Sequence, residues 1–144
     1  MQPVPGFLFG FVLALVFGIS HHFALTGILK IAPHHERQGK SVVVVTFAAL
    51  LTLHTAEIVA LAALNQWIAD AWSSDALAGP PPSFTDMLNL TAIAFTTLGY
   101  TSLDAVGGFR IVLMFEALLG FMILTWSATF LYSACQKSWQ SERD

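Results

Sequence analysis

The sequence predicts an all-α membrane protein, built from three transmembrane helices plus a re-entrant half-helix that ends in an irregular loop. Three observations carry this prediction. Of 144 residues, 56% are hydrophobic and 10% charged, too few charges to clothe a water-facing surface, and the mean hydropathy is +0.69. The apolar residues gather into three stretches, each reaching the roughly 20 residues that a helix needs to cross hydrocarbon. A fourth apolar stretch is shorter, starts behind a run of prolines and breaks up in "FTTLGYTSL", residues 95–103.

The first stretch runs from Gly6 to Leu29. The preceding "MQPVP" has no positively charged n-region, so the stretch is read as a mature helix and not as a signal peptide. Its "GFLFG", residues 6–10, is a G-x-x-x-G pattern suited to close contact with another helix. The linker "KIAPHHERQGK", residues 30–40, carries Lys30, Arg37 and Lys40 against Glu36, and it completes an N-terminal unit of residues 1–40. The second stretch, Ser41 to Trp72, leads into "DAWSSDALAGPPPSFTD", which has Asp70, Asp75 and Asp86 and no base. By the positive-inside rule the basic linker is cytoplasmic and the acidic one external. That puts the N-terminus outside, Trp67 and Trp72 at the outer interface and Trp139 near the inner one.

The short stretch, Phe84 to about Thr97, would be only ~20 Å long as a helix, against a hydrocarbon core of ~30 Å. Charge parity agrees that it does not span. If it did, Lys137 and Arg143 would end outside; if it enters and returns, the last stretch, Gly108 to about Cys135, delivers them and the C-terminus to the cytoplasm. "PPPS" gives the half-helix a sharp start, with Ser83 as N-cap and Asp86 where the helix dipole favours an acid. Its partly negative C-terminal end then points into the membrane. The non-helical backbone that follows must be buried in protein or face an aqueous path, because lipid offers its carbonyls no partner.

Within that backbone, "TTLGYTSL" resembles the selectivity filter of potassium channels, whose usual form is T-[VIL]-G-Y-G-D after another threonine. The likeness covers residues 41 to about 135, and "HTAEI" and "FEALLGFMILTWSA" are similar to small bacterial members of the superfamily. The resemblance implies a potassium-channel-like homotetramer in the lipid bilayer, in a bacterial inner membrane. It implies a pore module of residues 41–144, with outer helix 41–72, outer loop 73–83, pore helix 84–97, filter 97–102 and inner helix 108–135. The ion-binding groups it implies are the Thr97 hydroxyl and the carbonyls of Thr97, Leu98, Gly99 and Tyr100, with Thr101 at the outer end, and Gly120 as the gating hinge. The implied function is a tetrameric cation channel conducting potassium, with potassium ions in the pore and no other cofactor.

Two departures support an alternative, a weakly selective or non-conducting relative. Thr101 and Ser102 stand where the family has glycine and aspartate, and a β-branched residue avoids the left-handed conformation of that glycine. Asn89 and Ile93 occupy the positions from which the family braces its aspartate, and Asp104 either replaces the missing acid or pairs with Arg110. Helix 6–29 lies outside the common pore module, and an unidentified regulatory subunit is left as a source of gating.

The net charge of −3 and a pI near 5.9 leave no basic stripe for nucleic acid. A single cysteine, Cys135, excludes an intrachain disulfide and a thiolate metal site. No nucleophile in the loop has a base beside it, so no enzyme activity is expected, nor any protein-bound transition metal. The buried titratable residues form the second constellation. His54 and Glu57 are three apart and share a helix face. His54 counts to ~20 Å from the cytoplasmic start of its helix and Glu116 to ~12 Å from the outer start of its own, nearly one depth in a ~30 Å core. A polar bridge from His54 or Glu57 to Glu116 is therefore expected, as structural glue or as a proton-sensitive or ion-binding element. A remote alternative pairs His21 or His22 with His54 as axial ligands of a haem.

Overall fold

Three long helices dominate the chain because nothing in their apolar runs favours any other way of satisfying the backbone in lipid. They are α1 (Pro3–Ile31), α2 (Gly39–Trp72) and, after a short helix α3 (Phe84–Phe95), α4 (Gly107–Ser141). Pro3–Ile28, Ser41–Ala71 and Gly107–Gln136 are each long and apolar enough to cross a membrane. The structure, a computed structural model, describes residues 2–31, 39–72, 76–101 and 103–141. His34, His35, Glu36, Arg37, Asp75, Ser102 and Arg143 lie outside the described residues.

The helix ends differ from the sequence expectation for local reasons. α1 starts at Pro3, since a first-turn proline forfeits no hydrogen bond. α4 runs past Cys135 to Ser141 because no glycine or proline interrupts "QKSWQS". Apolar residues run all round α1, and Phe7, Leu8, Val12, Leu15 and Val16 are exposed on it, as are Leu118, Phe121 and Met122 on α4. Such surface is tolerable in lipid and not in water.

α4 packs against each of the other three helices, whereas α1 touches α2 little. The G-x-x-x-G stretch lies in the α1–α4 seam: a methyl on Gly6 would sit 2.5 Å from the Gly108 carbonyl oxygen. Phe7 and Phe11 then meet Phe115 edge-on, with centroids 5.0 and 6.1 Å apart. The main core lies between α2, α3 and α4, where Leu61, Ile68, Met87, Phe95, Phe109 and Ile123 are buried.

A two-residue ribbon closes the excursion that contains α3. β1 (Leu77–Ala78) pairs antiparallel with β2 (Asp104–Ala105), Leu77 opposite Ala105 and Ala78 opposite Asp104. The chain thus leaves β1, runs through α3 and the loop after it, and returns beside its own starting point. Arg110 secures the return, its Nε donating to the Ala105 carbonyl at 2.8 Å and its NH2 group to Asp104 Oδ1 at 3.0 Å. Asp104 therefore pairs with Arg110, in an exposed contact worth little by itself.

Candidate functional site

α3 is built to stop abruptly. Ser83 and Asp86 form a capping box: the Asp86 amide donates to Ser83 Oγ, and the Ser83 amide to Asp86 Oδ2 at 3.1 Å. The Ser83 hydroxyl, donating to the same oxygen at 2.7 Å, and that amide hold the Asp86 carboxyl below its ordinary range. Met87, Leu90, Thr91 and Phe95 form its buried face.

The C-terminal end closes in a Schellman motif, with Leu98 N–H donating to Ile93 O at 3.1 Å and Thr97 N–H to Ala94 O at 3.0 Å. Glycine normally takes the left-handed position of this motif; here it is Thr97, at φ 58°. A β-branched residue in that region is strained, and such strain clusters at working sites. Thr97 is the one positive-φ residue other than glycine among the described residues, and Gly99 follows at φ 74°. Thr101 does not take the left-handed conformation, and its Oγ1 accepts from the Leu103 amide at 3.1 Å. Residues 96–101 are exposed, Leu98 to 74% and Tyr100 to 87%. Among the described residues no donor reaches the carbonyls of Thr97, Leu98, Gly99 or Tyr100.

Two supports stand behind this loop. Gly120 passes directly against the carbonyl of Phe95, where any Cβ would overlap that oxygen. α4 is continuous through this position, so glycine serves here to let two backbones approach. Higher up, Asn65 Nδ2 donates to Thr91 Oγ1 at 2.9 Å and to Glu116 Oε2 at 3.0 Å, joining α2, α3 and α4. All three side chains are buried. Replacing Asn65 by Leu is expected to strand Thr91 and Glu116 and to cost about 1–3 kcal/mol for each orphaned group. A fall in the unfolding midpoint in detergent, larger than that of Gln66→Leu, checks this.

The expected bridge from His54 or Glu57 to Glu116 is therefore replaced by two separate ones. Glu116 bonds Asn65, which lies about 12 Å further along α2 than Glu57. The depth count failed because α2 has 34 residues and α4 has 35, about 50 Å each, so neither helix starts at the edge of a ~30 Å core. Glu57 instead holds both histidines of the lower cluster: its Oε1 lies 2.9 Å from His21 Nδ1 and its Oε2 3.1 Å from His54 Nδ1. Ser127 Oγ on α4 lies 3.1 Å from His21 Nε2. The two imidazoles stack at 5.5 Å with an interplanar angle of 11° and address one carboxylate, which leaves no slot for a porphyrin between them. His22 stacks on Trp126 at 5.5 Å, away from His54, so the haem pairing draws no support from either histidine.

Sequence reasoning passed over Asn65, Thr91 and Ser127. An asparagine inside an apolar span was a signal available for the first, but one threonine or serine among many in such helices carries none. No protein-family model, curated protein or solved structure matches the chain. The likeness to the potassium filter therefore rests on the loop residues and the order of elements around them.

Proposed function

We propose that the chain is one subunit of a homotetrameric pore-loop cation channel that conducts potassium. The observation that supports this best is that residues Thr97 to Tyr100, at the end of a short apolar helix, are exposed and that no donor among the described residues reaches their carbonyls. In lipid each unsatisfied group would cost several kcal/mol. Four copies around an axis would turn these oxygens toward a dehydrated cation, which is the partner they lack. The negative end of each α3 would face the same axis. The ribbon β1–β2 supports re-entry, since it brings both ends of the excursion to one level. In this reading Thr97, Leu98, Gly99 and Tyr100 supply the ion sites, the N-terminus is external, the C-terminus is cytoplasmic, and the membrane is a bacterial inner membrane.

Thr101 gives grounds for a second reading, a weakly selective pore. Its backbone avoids the glycine conformation, so the outermost oxygen ring is widened or turned away. Purified protein in liposomes decides between them through potassium flux, sodium flux and barium block. Potassium flux blocked by barium is expected, and Thr101→Gly with Ser102→Asp should raise potassium over sodium discrimination. Equal flux of both ions, unchanged by the double substitution, would show that the loop is not a selectivity filter.

A further inference from the structure

We propose that His21, His54 and Glu57 form an intramembrane binding site for a divalent transition-metal ion of the zinc class, although the sequence led us to expect no such site. One ligand atom from each of the three residues lies within 4.8 Å of the others. A tetrahedral zinc ion with bonds of about 2.0–2.1 Å needs its ligands roughly 3.3 Å apart. The Glu57 oxygens stand 2.9 Å from His21 Nδ1 and 3.1 Å from His54 Nδ1, and with one ligand atom per residue the set spans no more than 4.8 Å, so the ion is accommodated once the ligands draw together by up to about 1.5 Å. The stacked rings, 11° from parallel, aim both Nδ1 atoms at the same carboxylate.

Ser127 is the observation that goes beyond clustering. A ligating imidazole is held by a hydrogen bond from its other nitrogen, and His21 Nε2 faces Ser127 Oγ at 3.1 Å. A hydroxyl both donates and accepts, so it serves the Nδ1–H tautomer that bonds Glu57 and the Nε2–H tautomer that leaves Nδ1 free for a metal. Two imidazoles and one carboxylate favour zinc, cobalt, nickel or copper over magnesium or calcium, which want oxygen shells. Three protein ligands, one short of a closed shell, suit an ion that exchanges. The site is least covered at His54, whose side chain is 14% exposed, against 8% for Glu57 and 0% for His21. The ion would join α1 to α2 directly and reach α4 through Ser127.

The site does not depend on the pore reading, because binding is measured without flux. The test uses the full chain in detergent with His34→Ala and His35→Ala, which remove the linker pair as competing ligands. Equilibrium dialysis with zinc and visible spectra with cobalt should give one ion per chain with the bands of a tetrahedral cobalt site. His54→Ala should weaken binding more than Ser127→Ala, which should weaken it about 10–100-fold, while His22→Ala should leave it unchanged. Zinc should raise the unfolding midpoint of the background chain and not that of His54→Ala. Absorption at the zinc edge counts the imidazoles with the site intact, whatever the variants do to folding. Fewer than two imidazoles per zinc, no stoichiometric binding, or unchanged binding in His54→Ala would each overturn the proposal.

Discussion

Gly99→Ala is expected to abolish the proposed cation flux while leaving the proposed tetramer assembled. Gly99 sits at φ 74°, in the left-handed region, and an added Cβ would meet nothing within 4 Å. The penalty is therefore in the backbone, roughly 1–2 kcal/mol per chain, and it is relieved by rotating the peptide planes on either side. Those planes carry the Leu98 and Gly99 carbonyls, so relief destroys the proposed ion ring, and the four chains of the proposed tetramer would multiply the effect. Gly79 is the internal control. It too has positive φ, 115°, and open space around a Cβ, but it lies in the turn after β1. Gly79→Ala carries a backbone strain at least as large, since φ 115° lies further from the left-handed region open to alanine, and should conduct normally. Size-exclusion profiles and liposome flux of both variants check this; full flux from Gly99→Ala would remove the loop from the conduction path.

Gly120→Ala separates two roles for one glycine by the sign of its effect on stability. If the residue is only a flexible hinge in α4, alanine should stabilise, because glycine in a helix interior costs about 1 kcal/mol relative to alanine. The structure favours the opposite outcome. A methyl here overlaps the Phe95 carbonyl, which is backbone at the end of α3 and cannot swing aside as a flexible side chain would. Overpacking of this kind costs about 1–3 kcal/mol per chain. It also pushes α3 away from α4 immediately before the strained Thr97. A lowered unfolding midpoint together with lost flux is expected. A raised midpoint would show that the contact yields and that the hinge implied by the filter resemblance is the better account.

Much of the architecture was legible because membrane folding is constrained locally. Twenty or so apolar residues must be helical in lipid whatever surrounds them, so the three spans follow from composition. The start of α3 was equally local: Ser83 and Asp86 are three residues apart and satisfy each other's backbone within one turn. The Gly6–Gly108 contact was half legible, since the glycine pattern announces a close neighbour without naming it.

What the sequence by itself determined is therefore everything that depends on near neighbours along the chain: spans, caps, the short half-helix and the unusual loop. Only the tertiary structure decided which buried polar groups meet. Glu57 turned to His21 on α1, and Glu116 turned to Asn65, because pairing across helices depends on their relative shift along their axes. A shift of one turn, about 5.4 Å, replaces every partner, and no local rule fixes it when the helices outreach the hydrocarbon they cross. The strain at Thr97 has the same origin. Two Schellman bonds and the α4 backbone behind Phe95 hold α3 to an ending that threonine's own preference would refuse.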